Sequence, residues 1–192
     1  MEIVEGRAHP PQRGLPEYEA EFGKSVSLIL RMSKTIFHSG RVVVMDSAFC
    51  QLNALIELLR RGVFALVVIK KKRFWPRSVR GQEMDEKVGA TPIGTVAVLQ
   101  GAMGANRFML IALRDSKHVL KLMSTYGSID RVEPPKRRMD QVTHNIVSFK
   151  YPEVISHYYI MLLTTTTTTA KAAWVLRKAS PRIAGHYDSF SH

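Results

Sequence analysis

The chain predicts an α/β fold with a mixed sheet, a crossover helix and an edge hairpin, and three observations carry that prediction. The first is a strand, helix, strand run from Arg41 to Ile69, RVVVMDSAFCQLNALIELLRRGVFALVVI, whose joints are too short for anything but a parallel crossover unit. The second is a pair of apolar runs, Phe108 to Leu113 and Val119 to Met123, joined by the polar stretch Arg114 to His118, as in a hairpin. The third is size: 192 residues with 45% hydrophobic content suffice for one core and are too few for two comfortable domains.

From Met1 to about Pro16 the chain carries three prolines and two glycines, which predicts an irregular segment with at most a short strand at Glu2 to Glu5. Phe22, Val26, Ile29, Leu30, Ser33 and Phe37 recur near one helical face, and Gly40 is a natural stop before the next strand. Val42 to Met45 is mostly β-branched, too short for a helix, and suited to a strand buried on both faces. Asp46 stands at its carboxyl end, where functional groups gather in open α/β sheets. Two readings of Asp46 follow, a metal ligand and a helix-capping acid, and spacing alone favours the cap. Ser47 offers a hydroxyl to the start of a helix whose buried face is Phe49, Leu52, Leu55, Ile56 and Leu59. Arg60 and Arg61 suit its negative end, and Gly62 supplies the left-handed residue that closes it. Val63 to Ile69 is the second buried strand.

The cationic segment KKKRFWPRSVR comes next, and Pro76 takes it out of the sheet as a loop. Lys70, Lys71, Lys72, Arg73, Arg77 and Arg80, interleaved with Phe74 and Trp75, are the residue types that hold phosphates and stack on bases. A nuclear-import signal of the KKKR kind and an inert solvated run fit the same residues. The stretch GQEMDEKVGATP reads as a turn-rich loop in which Glu83, Asp85 and Glu86 are solvated acids rather than metal ligands. Gly94 to Leu99 fits a strand. GAMGAN lacks the Lys-Ser or Lys-Thr of a phosphate loop and reads as a turn. IDRVEPPKRRMDQVTHN, with its Pro-Pro and basic triplet, predicts an exposed connector. Pro152 to Ile160 suits a helix with proline in its first turn. Six consecutive threonines from Thr164 make a poor helix and a peculiar core.

The net charge of +12 implies a polyanionic partner, DNA or RNA, because cations gain affinity by releasing counterions from phosphates. Cys50 is the only cysteine, so no disulfide framework exists and a reducing compartment is expected. No apolar run reaches the roughly 20 residues of a membrane span, and MEIVEGRAHPP has no apolar targeting core. The seven histidines show no HExxH spacing, and no GxSxG elbow is present. Cys50 follows Asp46 closely enough for a helix start to lower its pKa, but a buried, inert thiol is the favoured reading.

Strand-Asp46, Ser47-x-Phe49, the Leu-rich helix, Arg61-Gly62 and Lys70-Lys71-Lys72-Arg73-Phe74-Trp75-Pro76 together resemble the transposase domain of the PiggyBac element family. Gly89, the hairpin with Asp115 before Ser124-Thr125, and YPEVISHYYIM at 151 to 161 follow in the family's order, so the resemblance covers roughly Glu5 to Met161. It implies a ribonuclease H-like sheet in which three Asp side chains hold two divalent cations, Mg²⁺ or Mn²⁺, for DNA strand transfer. Only Asp46 matches, as the family's second Asp. The first belongs to a strand preceding everything present, and the last lies where the threonines stand.

The resemblance therefore implies a truncated ribonuclease H-like core over 1–161 and an unrelated or frameshifted, disordered tail over 162–192. An Asp-bearing continuation in the shifted frame of the coding DNA would support the frameshift, and its absence would dismiss it. Asp46 becomes a vestigial catalytic residue and a weak metal ligand at best, with no cofactor expected. Lys70, Lys71, Lys72, Arg73, Trp75, Arg77 and Arg80 become a nonspecific nucleic-acid site. The function expected is an inactive transposase remnant; a subunit completed by another chain and a domesticated protein-interaction module are the alternatives. Family and KKKR run point to the nucleus, and the cytoplasm otherwise. Losing the family's first strands would leave a sheet edge exposed unless terminal segments cover it, and the sequence leaves the oligomeric state open.

Overall fold

Val42 to Met45 and Ala65 to Val68 are buried on both faces, and this unbroken apolar character is what places their strands at the centre of a sheet. The computed structural model describes residues 16–71, 74–77, 79–141, 143–166 and 174–178. Strands β1 (Arg41–Met45) and β2 (Phe64–Val68) run parallel, with Val42 opposite Phe64 and Met45 opposite Val67. Helix α3 (Leu52–Arg60) makes the crossover. Beyond β2 the chain forms a meander of β3 (Val96–Met103), β4 (Asn106–Arg114) and β5 (Val119–Ser124), and β5 returns antiparallel to β2. On the other side β8 (Trp174–Lys178) pairs antiparallel with β1. The order is β3-β4-β5-β2-β1-β8, a mixed six-stranded sheet, and with its crossover helix it has the character of a small ribonuclease H-like core.

Alternation along the strands sorts the core into two layers. Val43, Met45, Ala65, Val67, Phe108 and Leu110 face the helices α2 (Lys24–Ser33) and α3, through Val26, Ile29, Leu30, Leu55 and Leu58. Helix α1 (Pro16–Phe22) joins that layer with Tyr18 and Phe22. Val42, Val44, Leu66, Val68, Ile111 and Leu122 face Tyr151, Val154, Ile155 and Met161. These last belong to β7 (Ile146–Pro152) and α5 (Glu153–Thr166), and β7 pairs with β6 (Arg131–Met139) in a separate two-stranded sheet.

The end of α3 follows its sequence signals closely. Gly62 adopts φ +64°, its N–H bonds to Leu59 O at 2.9 Å, and Val63 N–H bonds to Leu58 O at 2.9 Å, the paired closure of a Schellman motif. Its start does not follow them. Ser47–Phe49 form a separate 3₁₀ turn, Cys50 is extended and buried, and Gln51 takes the N-cap position.

Three further expectations are corrected. Gly81–Gly89 is a helix, α4, because Met84 and Val88 four residues apart bury one face over Ala112 while the acids point outward. Pro16 opens α1, and the irregular segment expected before it lies outside the described residues. The basic connector is the β6–β7 hairpin, in which the prolines at 134 and 135 fall where the pairing register shifts, a position that needs no ladder N–H. The hairpin at the sheet edge is β3–β4, turned by Gly104 at φ +63°; the hairpin read from the sequence, β4–β5, is the inner half of the meander. Helix α5 continues to Thr166, and Trp174–Lys178 form a strand on β1; residues 167–173 and 179–192 of the stretch expected to be disordered lie outside the described residues.

Candidate functional site

Asp46 leaves the carboxyl end of β1 immediately beside the end of its parallel neighbour β2, so the sheet itself brings Lys70 next to it. The Lys70 Nζ lies 3.5 Å from Asp46 Oδ1, and both side chains are more than half exposed. Partial burial opposes ionisation of the Asp46 carboxyl, but the Ser47 N–H and the Lys70 ammonium outweigh it and hold its pKa below the ordinary carboxylate value. The Asp46 side chain makes no capping hydrogen bond to the turn it precedes. The capping role is thus not the one the geometry uses; the carboxylate is a strand-end acid paired with a lysine.

Tyr158 of α5 is near enough to feel that charge. Burial first, and the negative Asp46 second, push its hydroxyl up to about 12. The sequence reading missed Tyr158. Its signal was the stripe Val154, Ile155, Tyr158 and Met161, which at helical spacing seats α5 on the sheet face beside β1.

The resemblance implies Mg²⁺ or Mn²⁺ at this place, and the residues present do not fit such an ion. A hard dication needs several oxygen donors, whereas Asp46 supplies one carboxylate and Lys70 sets a positive charge against it. Among the described residues no three His, Cys, Asp or Glu side chains are grouped to hold a metal ion. The three acids of α4 are separately engaged: Glu83 with Arg80 at 3.2 Å, Asp85 with Lys121 at 2.6 Å, and Glu86 accepts from the Gln82 amide at 2.6 Å. Asp115 accepts from Ser116 N–H at 2.8 Å and pairs with Arg138 at 3.4 Å, so it is a turn residue that also fastens the β6–β7 hairpin. Cys50 is 1% exposed, and burial pushes its thiol up to about 12, the inert reading.

The basic segment divides by residue type. Phe74, Trp75 and Val79 pack against the main core, and Pro76 is buried, while Lys70, Lys71, Arg77 and Arg80 stand at the surface. Lys72 and Arg73 lie outside the described residues. Trp75 is anchored further: a Cβ at Gly81 would sit 2.2 Å from its indole, so the ring lies flush on the first turn of α4. Among the described residues no helix is long and apolar enough to cross a membrane.

Neither the curated proteins nor the solved structures contain a match to this chain. The family model described as Transposase IS4, by contrast, matches residues 1–171, a span that takes in the crossover unit, Asp46, the basic segment, both hairpins and α5, and the chain accordingly belongs to that transposase family.

Proposed function

We propose that this chain is a catalytically inactive derivative of a PiggyBac-like DNA transposase that retains nonspecific nucleic-acid binding. The observation that carries the reading is the state of Asp46: the one carboxylate that matches the family's catalytic set is paired with Lys70. Phosphodiester transfer through two metal ions needs carboxylates held within about half an ångström of their working positions. Two further acids are committed to structural partners, Asp85 of α4 to Lys121 and Asp115, in the β4–β5 turn, to Arg138.

Strand transfer is tested by incubating purified protein and Mg²⁺ or Mn²⁺ with DNA carrying PiggyBac-type terminal repeats and TTAA target sites. No nicking or joining is expected. Nicking that disappears in Asp46→Asn protein would overturn the reading, whereas nicking unaffected by that change marks a contaminating nuclease.

Binding rests on the net charge of +12 and on the surface placement of Lys70, Lys71, Arg77 and Arg80. On duplex DNA the logarithm of the affinity should fall with the logarithm of salt concentration by about 0.9 per phosphate contact. Reversing Lys71, Lys72 and Arg73 to Glu should weaken binding to every sequence alike. Unchanged affinity in that triple variant would remove the basic segment from the interface.

A further inference from the structure

Charges and prolines are what ordinarily keep an edge strand from pairing with another chain. Strand β3 reads VAVLQGAM, eight residues without a charge or a proline, in a chain of net charge +12. It pairs with β4 along its whole length, and among the described residues no strand lies on its other side. The two-residue turn makes Met103 and Asn106 a hydrogen-bonded pair, so the odd-numbered residues of β3 bond inward and Val96, Val98, Gln100 and Ala102 direct their N–H and C=O groups outward. Leu99 and Met103, large apolar residues 43% and 40% exposed, lie on this strand and share one face of it.

We propose that β3 is a homodimerisation edge, pairing antiparallel with β3 of a second copy about a two-fold axis at Gly101. In that register Gln100 of each copy exchanges hydrogen bonds with Ala102 of the other. Leu99 then stands opposite Met103 of the other copy, so each exposed apolar side chain covers its counterpart. A second copy suits this edge better than an arbitrary strand because an uncharged segment is where two strongly basic chains can approach without like charges opposing each other. Cations off the strand do not prevent it: Arg107, opposite Ala102 on β4, lies one strand inward, and helix α4, with Arg80 and Lys87 at its groove, packs over β4 through Met84 and Val88. The two copies of α4 would therefore stand about three strand spacings, roughly 14 Å, apart. That exceeds the Debye length of about 8 Å at physiological salt. Pairing of a single strand buries less than a standard interface, so dissociation on the order of micromolar is expected.

Sedimentation equilibrium on the intact chain over the micromolar range should show a monomer–dimer equilibrium. Gln100→Pro removes an outward donor without touching the β3–β4 ladder, and Leu99→Lys adds a charge at a solvent-facing position. Each should weaken the dimer at least about tenfold while circular dichroism and thermal melting stay near those of the parent. The register is read by cysteines: the Leu99→Cys, Met103→Cys double variant should form an interchain disulfide under mild oxidation, because directly opposed non-hydrogen-bonded pairs fall within bridging distance, and neither single variant should do so. A monomer at all concentrations, open-ended association without a closed dimer, or a dimer indifferent to both Gln100→Pro and Leu99→Lys would each overturn the proposal. Cross-linking of the Leu99→Cys single variant would overturn the register.

Discussion

Asp46 shows how one acid at a strand end can look catalytic in the sequence and be tied to a lysine in the fold. Its pair with Lys70 is solvent-exposed, and exposed pairs contribute only about 0–1 kcal/mol. Asp46→Ala should therefore cost less than the roughly 0.5–2 kcal/mol of a lost helix cap, and added Mg²⁺ should leave the melting temperature of parent and variant unchanged. Thermal melts with and without the metal check both points, and a Mg²⁺-dependent rise in the parent alone would restore the ligand role. The pH dependence has a definite sign. The folded pKa of Asp46 lies below its unfolded value, so its contribution is present above the unfolded pKa and is lost as pH falls through the folded one, below about pH 4. The position of Asp46 was legible because an apolar run ends there. Its partner was not, because Lys70 reads in sequence as the first of four consecutive cations, and only the parallel register sets it beside the carboxylate. Gly62 was legible in full: a glycine after two arginines at the end of an apolar-periodic run needs no tertiary information to be read as a left-handed stop.

At the scale of elements, those that failed to show in the sequence are those whose stability comes from docking. Helix α4 has only Met84 and Val88 as a buried apolar pair and glycine at both ends, so its periodicity is too thin to separate from a polar loop. The β6–β7 hairpin carries three prolines and alternates few apolar residues. It is held instead by a polar and aromatic cluster. Arg138 pairs with Asp115, donates to the Tyr151 hydroxyl at 2.9 Å, and lies 5.9 Å over the Tyr151 ring; Tyr151 stacks on Tyr159 of α5 at 5.4 Å. Asp115 is buried, so removing its partner leaves a charge poorly compensated. Arg138→Ala should cost about 1.5–3 kcal/mol, the range of hydrogen bonds to charged groups. Amide exchange should accelerate first in Arg131–Met139 and Ile146–Pro152, with the six-stranded sheet protected as before. Equal acceleration in β1 and β2 would show that the hairpin is not a separately docked unit.

For the molecule as a whole, the alkaline limb of stability should be set by the tyrosines of α5. Burial, with the Asp46 charge adding to it, pushes Tyr158 up to about 12, and burial pushes Tyr159 up as well. A pKa raised above its unfolded value of about 10 contributes stability that is complete below pH 10 and is lost as pH rises through the folded value. The denaturation midpoint should hold steady up to about pH 10 and then fall, with phenolate absorbance lagging until the fold gives way. Early, independent ionisation of all six tyrosines would show that α5 is not seated on the sheet. The sheet order also fixes a timetable for synthesis. Strand β1 is among the first elements made, but its outer partner β8 comes some 130 residues later. At about 5–20 residues per second, the edge of β1 waits roughly 6–25 s for its cover. During that interval the growing chain presents Val42 to Met45 with the side of the backbone that β8 will take unpaired. Nascent chains arrested before Trp174 leaves the ribosome would thus be the form most dependent on chaperones, and emergence of Trp174–Lys178 the step that ends the dependence.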